Sequence, residues 1–590
     1  MKQYYMGINL GHERSAAIVK DGEIVVAIEQ ERLDRQKYSV GFTLQSPGVP
    51  SKIQIPNESI RYCLDSCGIT LTELKYIVSN MPGQDFAPDI VKNAFPQEIA
   101  RRVMPIKSHH LAHAYSAFWP SGFEEALVLV VDATGTTTAD HRTESYTLYE
   151  GRGQTLNVLH SEEVASHLAG LSTLGFIYEY ITRKAGFVTQ VGNNNTITHP
   201  EAGKLMGLAP FGTQQPHWHR WIRPIENTYS IDISAYDIFL EVAALEKSYD
   251  TGVGKPYLRP YLVDLAYKVQ QEIEQALLYL VSFAIRETGL RKLCIAGGVG
   301  LNSVANYKLL KHLNLEDIFI FPASGDSGIA AGCALWAYHT LGEGLERPKL
   351  KRANLGQPYS QEQLSNAFKQ FDSSIEIEEL SPIEMQARSA QKLAEGHIVA
   401  RFEGGSEYGP RALGQRSIMV DPTFSKMKDV LNARVKFREA FRPFAPVIPL
   451  ENVNQVFDLE VGAPFMLVVP PIKAGYKEQL PAIAHVDGTG RVQTVTEEDN
   501  PYFYQLCWRL AQLRAGPPVL LNTSFNIAGQ PIVETPSEAI QTFLQTDIDY
   551  LAIENFWVSK RHIPVQNYEE HLDKLIDAPI PQGLPPIHRP

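Results

Sequence analysis

Three histidines fall within five residues in the segment SHHLAHAYSAF, Ser108–Phe118. Ser108 suits a helix N-cap, because its hydroxyl can accept from an N–H left open in the first turn. In a helix starting there, His109 and His113 lie at i and i+4 on one face. That spacing lets two imidazoles grip one metal ion. His110 is read as a packing residue. Two aspartates extend the set. Asp132 ends the apolar run ALVLVVD, where a buried carboxylate needs a partner or a ligand. Asp326 sits in the glycine loop SGDSGIAAG. Two imidazoles and two carboxylates suit Fe(II), Mn(II) or Zn(II), with iron the first choice. A zinc-peptidase HExxH site is disfavoured, because His110 stands where its glutamate would be. The ion is therefore read as a clamp on a ligand. For an isolated pair of histidines, an ordinary helix-surface or core role is the competing reading.

A second group carries positive charge. Residues 401–445 hold nine Lys/Arg and five Asp/Glu, a balance of +4 in a chain of net charge −12. Arg411 in YGPRALG and Arg442 in FRPFAP are framed by Gly, Pro and apolar residues. Guanidinium groups in such settings fork onto phosphate or carboxylate. Arg491 in GTGRVQTV joins them, as do Asn522 and Asn526 in LLNTSFN. Lys436 lies opposite Met427, Val430 and Leu431, which is compatible with a solvated helix face. Three glycine loops add phosphate-binding potential. They are DATGTTT with Gly135, AGGVGLNS with Gly297, Gly298 and Asn302, and the Asp326 loop; together they favour an ATP cleft.

The elements that must position these groups alternate strand and helix. YYMGINL reads as a strand, and SAAIVKDGEIVVAIE as a hairpin turning at Asp21-Gly22. A similar unit returns at 126–160, with two strands around Glu150-Gly151. The repeat suggests a duplicated α/β domain with a ligand cleft. A long helix is expected over 260–288, and the loops at 296–303 and 323–329 each lead into another. The texture turns polar near 355, where a domain boundary is placed, giving domains 1–355 and 356–590. In the second, strands are expected at HIVARFEG and PPVLLNTSF, and helices at 425–441 and 536–546. The proline-rich tail APIPQGLPPIHRP is expected to fray.

The chain has 590 residues and a pI of about 5.8, so two or more domains are expected and general nucleic-acid binding is disfavoured. Five cysteines without a CxxC pair fit a reducing cytoplasm, with Cys63 and Cys67 packed at i,i+4 rather than bridged. No signal-peptide core or membrane-length apolar run is present in the sequence, so no membrane partner is expected.

Nine motifs in order resemble one family: GHERSAA, EQERLDRQK, HHLAHAYSAF, AGKLMGLAPFG, GGVGLN, GDSGIAAG, GPRALGQRSI, KFREAFRPFAPV and LLNTSFN. The chain is similar to the O-carbamoyltransferases of the NodU/CmcH type. The resemblance implies an α/β protein with an N-terminal Kae1-like domain of the duplicated actin/hexokinase (ASKHA) type, followed by a YrdC-like α/β domain. It implies metal ligands His109, His113, Asp132 and Asp326, and anion-binding residues Arg411, Lys436, Arg442 and Arg491. It places Gly135, Lys204, Gly297, Gly298, Asn302 and Asn522 around the nucleotide. The implied activity moves a carbamoyl group from carbamoyl phosphate, through ATP-derived carbamoyl-adenylate, to a hydroxyl of a small natural product. A cationic acceptor such as a saxitoxin-type alkaloid or an aminoglycoside is mildly favoured by the acidic chain. His12 is the expected group for orienting or deprotonating that hydroxyl, and a homodimer is among the assemblies left open. The chain departs from the family at Glu13 and Arg14 in the opening motif and at Ala528 after LLNTSFN. A small-molecule kinase of the actin-like fold, a tRNA threonylcarbamoylation-type factor and a nucleotide-binding regulator are the alternatives.

Overall fold

In the computed structural model, which describes residues 3–46, 49–80, 91–191, 197–249 and 254–561, the opening hairpin forms at the expected turn. Asp21 (φ 50°) and Gly22 (φ 80°) both take the left-handed conformation that a two-residue turn needs. They join β2 (Ser15–Lys20) to β3 (Glu23–Glu29), and β2 pairs antiparallel with β1 (Tyr4–Asn9). Beyond β1 lie the parallel strands β4 (Leu74–Asn80) and β5 (Val103–Pro105), giving the order β3-β2-β1-β4-β5. Helix α1 (Asn57–Cys67) packs Ile60, Tyr62 and Cys63 into the core of this sheet with Met6, Ile8, Ile18 and Ile77. Cys63 and Cys67 are both free thiols.

The same topology then repeats. Strands β6 (Glu125–Val131), β7 (Arg142–Arg152), β8 (Thr155–Ala165), β9 (Lys292–Ala296) and β10 (Asp317–Ile320) form a sheet of order β8-β7-β6-β9-β10. Its first three strands are antiparallel neighbours and its last three parallel ones, as in the first sheet. The hairpin between β7 and β8 turns at Gly153 (φ 55°), not at Glu150-Gly151. Gly151 lies inside β7, and a Cβ there would sit 2.4 Å from the Phe118 ring. Its glycine therefore makes room for packing, which a turn-residue count cannot distinguish from turning.

The unit's helices include α2 (His109–Ser121), α3 (Pro260–Thr288) and α4 (Ser303–His312), with α3 at the expected bounds and stopped by left-handed Gly289. A fourth, α5 (Ile329–Trp336), is wedged between β1 and α2. A Cβ on Gly7 of β1 would lie 1.8 Å from the Ala330 carbonyl oxygen, and one on Gly332 of α5 1.9 Å from that of Ala112. Backbone-to-backbone contact at both faces brings the start of α5, and Asp326 just before it, against the histidine helix.

The chain divides into two compact units, Met1–Leu350 and Lys351–Pro590. The second is built on a mixed eight-stranded sheet. Its strands are β11 (Ile375–Glu379), β12 (Val399–Phe402), β13 (Arg416–Val420), β14 (Ala445–Pro449), β15 (Gln493–Val495), β16 (Leu520–Ser524), β17 (Tyr550–Ile553) and β18 (Phe556–Lys560). They lie in the order β11-β18-β17-β12-β13-β16-β14-β15. Helix α6 (Pro501–Arg514) buries Phe503, Leu506 and Leu510 against one face with Val399, Met419 and Leu520. Helix α7 (Pro536–Leu544) begins with a Thr535–Glu538 capping box. The helix expected over 425–441 is cut short. It holds only through Lys436, because Phe437 turns left-handed (φ 48°). The proline-rich tail lies outside the described residues.

Gly332→Ala should lower stability by about 1–3 kcal/mol through overpacking against Ala112. Gly203→Ala, exposed in the short helix Ala202–Leu208 with nothing within 4 Å, should be neutral or slightly stabilising. Chemical denaturation of the two variants checks both.

Candidate functional site

The carboxyl ends of four strands of the first unit converge. Asn9 ends β1, Asn80 ends β4, Asp132 follows β6 and Gly297 follows β9. Ligands of open α/β sheets gather at such strand ends. Into this place α2 delivers its histidines. Ser108 caps the helix by accepting from Leu111 N at 3.1 Å, and Thr136 Oγ1 accepts from His109 N at 2.8 Å. His109 Nε2 and His113 Nε2 lie 3.2 Å apart. Asp132 Oδ2 is 3.3 Å from the first and 3.0 Å from the second. Asp326 Oδ1 is 3.5 Å and 3.7 Å from the same two nitrogens. All four side chains are buried: His109 and His113 are 0% exposed, Asp326 3% and Asp132 8%. One donor atom from each lies within 4.8 Å of the others. Two imidazole nitrogens and two carboxylate oxygens fit a divalent first-row cation.

The electrostatics agree. Burial alone would lower the His109 pKa, but the facing Asp326 and Asp132 carry it up to about 10. Burial and mutual repulsion would raise the two aspartates, yet the imidazoles hold both well below the usual carboxylate range. The pocket thus demands positive charge, which a cation supplies by displacing protons. The Asn80 amide meets His109 Nδ1 at 2.9 Å and turns Nε2 toward the carboxylates. His110 faces away: its Nδ1 is 2.8 Å from Thr147 Oγ1, and burial lowers its pKa to about 4, so it packs as a neutral ring.

The DATGTTT loop does different work from that expected. Gly135 N donates to the Glu144 carbonyl (2.9 Å), Thr136 N to Glu144 Oε2 (2.8 Å) and Thr138 N to the Arg142 carbonyl (2.7 Å). With these donors taken up, the loop braces the start of α2. Gly135 packs tightly on Glu144 and His110. Gly297 is held at φ 89° against the Val131 carbonyl, and Gly298 lies beside Asp132. Asn302 caps α4 through Ala305 N (3.1 Å) and exchanges amide hydrogen bonds with Gln270, so its side chain is committed within the fold rather than aimed at a ligand. Lys204 pairs with Glu201, which also takes Lys37 at 2.9 Å. His12 Nε2 stands 3.3 Å from Asp326 Oδ2 with its side chain 41% exposed. Burial would lower its pKa, but Asp326 and Glu13 raise it. Arg14 turns inward and donates to Asp34 (3.1 Å) and Ser39 Oγ (2.8 Å).

In the second unit Arg411, Arg438, Arg442 and Arg491 repel one another. Burial and the charges of Arg442 and Arg491 weaken the hold of Arg438 on its proton, and burial with Arg411 and Arg442 does the same to Arg491. Glu439 lies 3.8 Å from Arg442. Arg491 Nε is buried without a hydrogen-bond partner among them. Arg438, which sequence reasoning missed, is oriented by Asn432 Oδ1 (2.7 Å) and the face of Phe444. Glu407 Oε1 shapes the Arg411 loop by accepting from Leu413 N and Gln415 N, each at 2.7 Å. Lys436 is not on a solvated face. It is 4% exposed, and its Nζ donates to the Ser524 and Asn526 carbonyls, each at 2.7 Å, and to Asn526 Oδ1 at 2.5 Å. Asn522 Nδ2 likewise donates to the Ala412 carbonyl (2.9 Å), tying β16 to the Arg411 loop. Ala528 N closes the same region on the Lys436 carbonyl (3.1 Å).

Sequence models of the carbamoyltransferase N-terminus and C-terminus match residues 79–335 and 390–560. Nodulation protein NolNO of Sinorhizobium fredii is 32% identical over 93% of this chain and 79% of its own length. The chain belongs to the carbamoyltransferase family, of the NodU/CmcH type. The 3'-hydroxymethylcephem-O-carbamoyltransferase of Streptomyces clavuligerus is 32% identical over 45% of this carbamoyltransferase and 48% of its own length. The crystal structure of full-length HypF in the phosphate- and nucleotide-bound form aligns with 58% of this chain and 56% of its own, at 14% identity and a TM-score of 0.34.

Asn80, Glu144 and Arg438 support the sites of this carbamoyltransferase without any motif to announce them. Asn80 carried one usable signal, since it closes an apolar strand as Asp132 does. Asn80→Ala should weaken metal affinity by about 10–100-fold, the usual cost of losing the partner that orients a ligating histidine. Competition against a chelator of known affinity measures it.

Proposed function

We propose that this carbamoyltransferase is an ATP-dependent O-carbamoyltransferase with two separate sites: a cationic one that makes carbamoyl-adenylate and a metal-bearing one that uses it. The observation that carries this reading is the pairing, in one chain, of a buried two-histidine, two-aspartate centre with a cluster of four arginines whose charges bear on one another. The first calls for a cation and the second for an anion.

In this reading the first unit is Kae1-like and the second YrdC-like. Arg411, Arg438, Arg442 and Arg491 receive carbamoyl phosphate and the ATP phosphates, and stabilise charge as it shifts between them. Lys436 and Asn522 position the loops around them. Carbamoyl phosphate, ATP and one water give carbamoyl-adenylate, phosphate and pyrophosphate. In the first unit, His109, His113, Asp132 and Asp326 hold a divalent ion, Fe(II) first among the candidates. When bound, that ion supplies a fixed positive charge for the nucleotide phosphate. Gly297 and Gly298 let backbone approach the nucleotide, and Lys204 supplies positive charge to its phosphates. The acceptor hydroxyl attacks the carbamoyl carbon, its proton leaves on the His12 side, and AMP departs. The acceptor is a small molecule bearing a hydroxyl, as the name of the cephem relative indicates for that protein.

Product analysis with α-labelled ATP tests the reading. AMP formation should require both ATP and carbamoyl phosphate, whereas a kinase would release ADP without the carbamoyl donor. Arg491→Ala should lower AMP formation about 10²–10³-fold, by analogy with removing one preorganised donor to developing charge. His113→Ala should keep part of the AMP formation and abolish carbamoyl transfer. Equal loss of both steps in His113→Ala would contradict the division into two sites.

A further inference from the structure

We propose that His12, Glu13 and His199 hold a second divalent cation beside the first, with the Asp326 carboxylate shared between the two. One ring nitrogen from each histidine and one carboxylate oxygen of Glu13 lie within 4.8 Å of one another. Asp326 links this group to the first. Its Oδ1 faces His109 (3.5 Å) and His113 (3.7 Å), and its Oδ2 faces His12 Nε2 at 3.3 Å. One oxygen directed at each histidine group is the disposition of a bridging carboxylate in a two-metal centre.

The fold holds these three side chains deliberately. Asn9 Nδ2 donates to the carbonyls of His12 (2.9 Å) and Glu13 (3.2 Å), and Glu13 N donates to the Tyr38 carbonyl at 2.7 Å. These bonds keep Glu13 at φ 54°, a left-handed conformation that costs a non-glycine residue about 1–3 kcal/mol. The resulting turn brings Glu13 Oε2 within 3.3 Å of Ser327 N, one residue past Asp326. His199 lies on a separate strand, Ile197–Pro200, with its ring stacked on Tyr38 at 3.7 Å and 17°. His199 Nδ1 is buried without a hydrogen-bond partner among the described residues. An orphan of this kind costs about 1–3 kcal/mol, which a ligand there relieves.

The open edge of His12, 41% exposed, leaves room for an outside ligand to complete the coordination. If the carbamoyl-transfer reading holds, that ligand is the acceptor hydroxyl, whose pKa the cation lowers. His12 then acts as a ligand rather than as a free base.

The test is metal stoichiometry of the full-length chain, stripped with chelator and reloaded anaerobically with Mn(II). Wild type should bind about two Mn(II) per chain and give an exchange-coupled electron paramagnetic resonance spectrum. His199→Ala and Glu13→Gln should each fall to about one, with an uncoupled six-line signal. The wild-type spectrum and the conservative Glu13→Gln variant decide the matter if His199→Ala does not fold. Saturation of wild type at about one uncoupled ion, or about two ions in both variants, overturns the proposal. Because the readout is bound metal, two coupled ions in a protein that forms no AMP would overturn the functional reading and leave this one standing.

Discussion

Two carboxylates and two imidazoles cannot share one buried space without added positive charge, and the first unit is arranged around that constraint. Asp132 and Asp326 meet the same pair of imidazole nitrogens from two different loops. The duplicated sheets supply the meeting place, because the polar ends of their central strands converge. Contact without side chains at Gly7 and Gly332 sets the depth to which α5 can enter, and hence where Asp326 stands. Around the centre, Thr136, Glu144 and Ser108 hold the start of α2, while Asn80 fixes one imidazole. The cost of burying so many polar groups is offset by the imidazole–carboxylate contacts and, when bound, by a cation.

The second unit presents the opposite problem. Four guanidinium groups press on one another, and the interior around them is organised to keep them there. Glu407, Asn432, Asn522 and Lys436 take up backbone and side-chain partners so that the loops carrying the arginines have one shape. A chain that builds one pocket needing a cation and another needing an anion is suited to an intermediate made in one chemistry and consumed in the other. The family relationship supplies the group transferred.

Much of this was legible in the sequence wherever the signal was local. The Asp21-Gly22 turn, the i,i+4 histidines behind a serine cap and the long helix α3 follow from short-range rules, and all three appear as expected. What escaped depends on long-range contact. Asn80 reaches His109 across 29 positions, and no periodicity marks it. His199 lies far along the chain from His12, and only the strand carrying it makes them neighbours. The place of Lys436 opposite Met427, Val430 and Leu431 was compatible with a solvated face, whereas the chain turns at Phe437 and the ammonium is buried. The glycine-threonine loop had the composition of a phosphate loop, but composition cannot show that Glu144 and Arg142 already occupy its donors.

The most direct measurement is anomalous scattering from crystals of the full-length protein, collected on both sides of the absorption edge of the metal it was loaded with. The account predicts a peak enclosed by His109, His113, Asp132 and Asp326, lost in an Asp326→Asn crystal. An ordered pocket with no anomalous peak at those four residues, in a protein that still transfers carbamoyl groups, would contradict it.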